Sequence, residues 1–370
     1  MARILVTGGA GFIGSFLVDE LVKQGHFVRI FDNLDQQVHL DGAPEYLNEE
    51  AEFIKGDVYD YDSFKNVIKD IDVVFHQAAV VGIGQSMYKI KHYVSVNTLG
   101  TANLLDVLVN HKHDVKKVIV AASMSSYGEG SYLNSSGELI RPGLRTEEQL
   151  AAQEWELKDP KSGEVLKPVG IKEDDYRNCN SIYAITKKDQ EDMVLTVCKA
   201  YGIPAVSLRY FNVYGPRQSL SNPYTGVTAI FMSRIKNDNQ PVVNEDGLQT
   251  RDFVSVHDIV NANILAMENT VANYEVFNVG TGNPITIKQV AETLAKLYGK
   301  DIKPNIINKF RKGDVRHCFA DISKIRNKLN WQPKITFEQG MKELIEWSKN
   351  AKSKDLFEKA SKELKDRGLL

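Results

Sequence analysis

The sequence predicts an α/β protein built on a doubly wound parallel sheet, with a smaller mixed α/β domain beside it. Three observations carry that expectation. Short apolar runs of β-forming residues alternate with stretches of helical period. A glycine-rich turn separates the first run from the first helix. The apolar runs show little polar alternation, as strands covered on both faces do.

Taken in order, Ile4–Val6 is short and apolar, Phe16, Leu17, Leu21 and Val22 follow at helical spacing, and Phe27–Phe31 is a β-rich run that stops at Asp32. The alternation continues through a strand at Glu52–Ile54, a helix over Ser63–Ile68, a strand at Val73–His76, a helix over Val96–Val109 and a strand at Lys117–Ala121. Right-handed βαβ units in that order make a Rossmann-type sheet. Residues 129–178 break the pattern, with Gly, Pro, Ser and charged residues around apolar anchors such as Trp155; a lid is the expectation for them. A helix over Tyr183–Tyr201 then leads to a strand at Ala205–Phe211. The last third reads as a helix over Thr228–Ile235, a strand at Phe253–Val256 and a helix over Ile287–Tyr298. Residues 350–370 are Lys/Glu-rich, with Leu356, Ala360 and Leu364 spaced every four, and predict an exposed amphipathic helix. The domains expected are residues 1–210 with the 129–178 insertion, residues 211–348 with the chain near 250–278 returning to the first domain, and a helical tail over 349–370.

The 370 residues are 42% hydrophobic and 25% charged, ordinary globular values that support a sizeable core. Lys+Arg 46 against Asp+Glu 48 leaves a formal charge of -2, which argues against a global grip on nucleic acid. The three cysteines, Cys179, Cys198 and Cys318, have no metal-type spacing, and their odd count argues against a disulfide framework. A reducing, cytoplasmic setting is expected, with no metal. No window approaches the roughly 20 apolar residues of a membrane span.

Thr7-Gly8-Gly9-Ala10-Gly11-Phe12-Ile13-Gly14 lies between the first strand and the first helix. Gly9-x-Gly11-x-x-Gly14 permits a tight turn, close approach of the backbone to a pyrophosphate and close packing of helix on strand. The helix N-terminus then offers free N–H groups to the phosphates. Asp32 follows Gly14 by about 20 residues, at the end of the second strand, where a carboxylate accepts hydrogen bonds from ribose hydroxyls. The next residue is Asn33 rather than an arginine that could meet a 2′-phosphate, so NAD is expected in preference to NADP.

Tyr183 and Lys187 stand four apart on one helix face. A free tyrosine, with a pKa near ~10, is a poor base at neutral pH. A neighbouring ammonium and a nicotinamide cation would both favour its phenolate. Ser123, just past the fifth strand, stands at a strand end where sheet-top residues face ligand.

These elements resemble the extended short-chain dehydrogenases/reductases, in the branch of NAD-dependent nucleotide-sugar epimerases and dehydratases. The resemblance spans residues 1–348 and includes Gly56-Asp57-Val58, His76-Gln77-Ala78-Ala79, Asn97, Ser123 with Tyr127-Gly128, Tyr183 with Lys187, Arg209–Arg217, Arg251-Asp252-Phe253-Val254 and Asn278–Gly282. It implies a catalytic set of Ser123, Tyr183 and Lys187. It implies cofactor contacts from Gly8, Gly11, Phe12, Ile13, Gly14, Asp32, Asn33, Asp57, Val58, Gln77, Ala78, Ala79, Asn97, Tyr183, Lys187 and Tyr210. Sugar contacts would come from Val81, Gln85, Ser86, Ser123 and Tyr183. Asn212, Arg251 and Arg311 would hold the substrate diphosphate, with Arg316 as a further member of the cluster; the arginine fork suits phosphate oxygens.

The implied reaction is transient oxidation of the sugar to a 4-keto intermediate and hydride return to the opposite face. A 4,6-dehydratase of this branch needs an Asp-Glu pair after the serine or threonine, and here those positions are Met124 and Ser125. Neither exchanges protons at neutral pH, so a 4-epimerase is the expected activity. The long stretch between Ser123 and Tyr183, together with residues 81–88 and 218–226, is most similar to the dTDP-L-rhamnose 4-epimerases, which interconvert dTDP-L-rhamnose and dTDP-6-deoxy-L-talose. Apolar Val80-Val81 suits a C6 methyl group. The alternatives are a UDP-glucose/UDP-galactose-type 4-epimerase, a nucleotide-sugar dehydratase and a non-catalytic NAD-binding module. Relatives also lead us to expect a homodimer through the helices at Val96–Val109 and Tyr183–Tyr201.

Overall fold

A computed structural model of the chain describes residues 1–369. Seven strands form one all-parallel sheet: β1 (Arg3–Thr7), β2 (Phe27–Asp32), β3 (Glu52–Lys55), β4 (Val73–His76), β5 (Lys117–Ser123), β6 (Ala205–Tyr210) and β7 (Glu275–Val279). Their spatial order is β7-β6-β5-β4-β1-β2-β3. The order reverses between β1 and β4, whose pairing runs from Ile4 opposite Val73 to Thr7 opposite His76. A crevice opens outside the carboxyl ends of strands at such a reversal, which fixes where a ligand can sit.

The sheet is sandwiched between two apolar layers. One face packs Ile4, Val6, Val28, Ile30 and Phe75 against the helix Phe12–Lys23 and residues of the Val256–Glu268 helix. The other packs Leu5, Phe31, Val74, Val118 and Val120 against Phe64, Leu104, Leu108 and Val194. Consecutive strand residues alternate between two buried faces, which is why these strands read as apolar runs. β7 pairs with β6 at the sheet edge, and the Val256–Glu268 helix packs on Phe12–Lys23; neither element was read from the sequence. Thr250–Ser255, by contrast, joins a second sheet, parallel to Asn212–Tyr214 and His317–Cys318 and antiparallel to Pro284–Thr286. A third core under this sheet gathers Phe231, Met232, Val290, Leu294, Met341 and Leu344.

Three expectations change. The helix expected over Val96–Val109 starts as a π-helical turn, Val94–Leu99, and only then continues as the α-helix Gly100–Asn110. Gly100 is required there, because a Cβ would stand 2.6 Å from Val58 Cγ2. The 129–178 segment folds as a small sheet of Ser131–Leu133, Leu139–Ile140 and Lys167–Val169 over a core of Tyr132, Leu157 and Leu166. It contributes no residue to the main cleft, whose lining runs to Gly128 and resumes at Asn180, so it is not a lid. Instead it is bolted to the second domain by buried charge: Arg145 pairs with Glu245 at 2.8 Å, and Glu156 joins Arg316. Third, the tail helix, Phe357–Lys365, is not free: Ala360 and Leu364 are buried against the cleft.

Candidate active site

One cleft of about 1390 Å³ runs from the glycine turn, past the ends of β1, β4 and β5, into the second domain. That volume exceeds the range of about 300–1,000 Å³ usual for one small ligand and leaves room for two.

At one end the backbone itself is the wall. A Cβ on Gly8 would lie 2.9 Å from the Ala78 backbone, and one on Gly14 only 2.2 Å from Gly8 O, so neither position admits a side chain. The helix that follows has Gly11 as its N-cap with no side-chain cap, leaving its first N–H groups open to the cleft. Asp32 accepts from Ala10 N at 3.1 Å and Leu34 N at 2.9 Å, bracing the turn; burial raises its pKa. Asn33 donates to Asp57 at 2.7 Å. Gly8, Gly11, Phe12, Ile13, Gly14, Asp32, Asn33, Asp57, Val58, Gln77, Ala78 and Ala79 all line this half. A bare backbone cradle, an uncapped helix end and a carboxylate beyond it fit a dinucleotide: they would hold the pyrophosphate and a ribose.

Three residues expected as cofactor contacts, Asn97, Tyr210 and Lys187, lie outside the cleft lining. Asn97 is buried on the π-turn, where it accepts from Val80 N at 2.8 Å and donates to Val80 O, so it holds the loop after β4 from outside the cleft lining. Tyr210 is also absent from the lining; its hydroxyl meets Gln77 and Asn263, and Gln77 is the residue that reaches the cleft.

Deeper in, Ser123 caps the turn after β5 and Tyr183 rises from the first turn of the helix Ile182–Ala200, whose N-cap Ser181 accepts from Ala184 N. Both side chains line the cleft. Burial raises the Tyr183 pKa, and the neighbouring Ser123 hydroxyl opposes the rise. The lowering expected from Lys187 is therefore not a property of the chain alone. Lys187 is buried beneath the cleft, donates from Nζ to Ala121 O at 2.8 Å, and has its own pKa drawn down to about 7 by burial. Ser125 donates to Ser123 Oγ at 2.9 Å, and Met124 lies against Cys318. Tyr93, unflagged by the sequence, sets its ring edge-on to Tyr183 at 6.4 Å and donates to Val81 O.

The far half has a different chemistry. Asn212 Oδ1 is buried with no hydrogen-bond partner among the described residues, an acceptor left for a ligand. Arg251 lines the cleft while its guanidinium donates to Val315 O at 2.7 Å and Thr250 O at 2.8 Å. Arg311 is half-exposed, pairs with Asp314 at 2.9 Å, and is free to exchange that partner for an anion. Gln85 and Ser86 are corrections: both are buried off the lining, Gln85 bonded to Gln37 and Ser86 to Ile83 O, while Val81 does face the cleft. Arg316 is a correction too. It is fully buried among Glu156, Glu245 and Asp246, where it ties down the loop that carries Arg311.

Comparison with known proteins decides the lineage. Residues 4–149 match the NAD dependent epimerase/dehydratase family, and residues 163–344 match the GDP-mannose 4,6 dehydratase family description. The chain is 35% identical to dTDP-L-rhamnose 4-epimerase of Burkholderia thailandensis, over 93% of this chain and 94% of that one. The chain belongs to the NAD-dependent epimerase/dehydratase family. A second relative of this epimerase/dehydratase, UDP-glucuronate 4-epimerase of Thermodesulfobacterium geofontis, is 32% identical, with 94% and 97% covered. Among solved structures, UDP-glucose 4-epimerase of Thermotoga maritima with UDP-glucose superposes with a TM-score of 0.74 at 32% identity, covering 94% of this chain and 98% of that one. UDP-glucuronic acid 4-epimerase of Bacillus cereus, in complex with UDP-glucuronic acid and NAD, gives 0.77 at 28%, covering 94% and 99%. The chain's NAD dependence and Rossmann-type sheet follow from that membership.

Proposed function

We propose that this protein is a nucleotide-sugar 4-epimerase acting on dTDP-L-rhamnose and dTDP-6-deoxy-L-talose. The observation that carries the reading is that Ser123 and Tyr183 both line one cleft large enough for two ligands. On one side of them lies the glycine cradle, on the other the orphaned Asn212 acceptor with Arg251 and Arg311. NAD held by the cradle supplies a reversible two-electron acceptor for a carbinol carbon. Tyr183 takes the proton of the sugar hydroxyl, and Ser123, oriented by Ser125, hydrogen-bonds the same oxygen. Lys187 holds the end of β5 and favours the tyrosinate as positive charge gathers nearby. Inversion needs the hexose to turn while its diphosphate stays fixed, which is the work of Arg251 and Arg311 with the Nδ2 donor of Asn212, its Oδ1 being left for a donor of the ligand.

The choice of a 4-epimerase over a dehydratase rests on Met124 and Ser125, neither of which can carry a proton across C5–C6. The choice of dTDP-L-rhamnose rests on the 35% identical relative and on Val81 at the sugar end of the cleft, an apolar neighbour for a C6 methyl group. A UDP-sugar 4-epimerase is the second reading, favoured by the 32% identical UDP-glucuronate relative. Incubation with dTDP-, UDP-, GDP- and CDP-sugars, followed by product analysis, tests both. Deuterium at C4 of the substrate is expected at C4 of the product, with no solvent hydrogen entering C5; solvent label at C5 would overturn the epimerase reading. The assembly proposed is a homodimer, supported by exposed apolar Val94, Leu99 and Ile185 on neighbouring helices.

A further inference from the structure

The last helix, Phe357–Lys365, plays no part in the chemistry above, yet it lines the cleft. After Ser348 the chain doubles back over the helix Val227–Lys236 of the second domain. Ser353 and Ser233 hydroxyls meet at 2.9 Å, Lys354 N donates to Ser221 Oγ at 3.0 Å, and the Arg234 guanidinium lies 4.6 Å over the Phe357 ring while reaching Glu358 at 3.1 Å. The helix then crosses to the opposite bank, the loop that follows β4. A Cβ on Gly84 would stand 3.2 Å from Leu364 Cδ2, so the two surfaces are in contact and glycine makes the approach possible. Arg367 stacks 4.2 Å over the Tyr88 ring.

A single carboxylate closes the crossing. Tyr88 of the sheet-side loop and Tyr224 of the second domain both donate to Glu363 Oε2, at 2.9 and 2.5 Å. Hydrogen bonds to an ionised acceptor are about twice as strong as neutral ones. The inner face of the helix, Phe357, Ala360, Ser361 and Leu364, lines the cleft, and Lys359 and Lys362 face water. This wall stands close to the reacting centre: Tyr93 joins Tyr183 to Val81, and Val81 is three residues from Gly84, on which Leu364 rests.

We propose that the C-terminal helix is the outer wall of the hexose site, latched by Tyr88, Glu363 and Tyr224, and that it selects among nucleotide sugars by the room it leaves for the hexose. The proposal rests on the nucleotide-sugar reading above. Its test uses the full-length, NAD-loaded protein and calorimetric titration with dTDP-L-rhamnose, UDP-glucose and UDP-glucuronate, each beside its free nucleoside diphosphate. If the wild type binds none of these sugars, the proposed function has failed before any variant is made. Where it binds one, Glu363→Ala is expected to weaken that sugar nucleotide about tenfold and the free diphosphate less than about twofold. Leu364→Ala, which leaves the latch in place, is expected to relax discrimination between the sugars. Hydrogen exchange over residues 357–365 should slow with the sugar nucleotide and not with the diphosphate. Equal loss of both ligands, or no loss of either, would overturn the wall while leaving the epimerase reading intact.

Discussion

Tyr183 has the position of a base without, in the chain alone, the acidity of one: burial raises its pKa and only Ser123 opposes. Ionisation must therefore be coupled to cofactor and substrate. Tyr183→Phe is expected to cut turnover by about 10²–10⁴-fold with NAD still retained, read from initial rates and from dinucleotide released on denaturation. Arg311→Ala should raise KM for the sugar nucleotide with little change in kcat, since its fork binds diphosphate in ground and transition states alike. Lys187 gives a stability test. Its folded pKa is about 7 against an ordinary 10.5, so between those values the unfolded chain holds the extra proton. Stability of the cofactor-free chain therefore rises with pH across that window, on the order of 1 kcal/mol per pH unit from this group. Paired melts of wild type and Lys187→Met at pH 7.5 and 9.5 should show wild type gaining on the variant; parallel shifts would contradict the assignment. The residues of this site were legible where spacing carries chemistry, as in the glycine turn and the Tyr183–Lys187 pair. Asn97, Tyr210, Gln85 and Ser86 lie behind the cleft lining, because a motif records that a residue is needed and not which side of the backbone it works from.

Elements followed the sequence pattern where they are long and apolar enough to show it. β4 spans Val73–His76 as expected, and the helix Ile182–Ala200 falls within one residue of its expected bounds at each end. The π-turn at Val94–Leu99 was invisible, since one extra residue in a turn leaves the apolar pattern almost unchanged. The 129–178 segment misled for another reason. Its strands are two or three residues long, too short to show a period, and its anchors are charges. Arg145 and Glu245 keep only 1% and 2% of their side-chain surfaces, and breaking such a pair costs about 3–5 kcal/mol. Arg145→Ala should lower stability towards urea by the smaller of those values, because Glu245 keeps Arg316. Dinucleotide retention should be untouched, as the segment lines no part of the cleft.

At the scale of the whole molecule, the seven-stranded sheet, the elements around the second sheet and the tail helix line one cleft, and each contributes a different chemistry to it. Among the described residues no helix is long and apolar enough to cross a membrane. Val94 and Leu99 on the π-turn and Ile185 on the helix packed against it are exposed apolar residues, Leu99 and Ile185 at 46% and 43%, and they are the surface on which the proposed dimer rests. Leu99→Asp is expected to convert a dimer into a monomer by sedimentation velocity; a wild-type monomer would remove the proposed assembly.

The sequence by itself determined the βαβ order, the glycine cradle, Asp32 and the Tyr183–Lys187 pair on one helix face, because each depends on spacing within one or two adjacent elements, whereas the catalytic role of Ser123 came from family resemblance. Only the tertiary structure decided that the insertion is a buttress, that Arg316 is a buried tie and that the tail is a wall. Those roles come from contacts between segments far apart in the chain, such as Glu363 with Tyr88 or Arg145 with Glu245. No local periodicity encodes which distant surface an amphipathic stripe or a charge will meet.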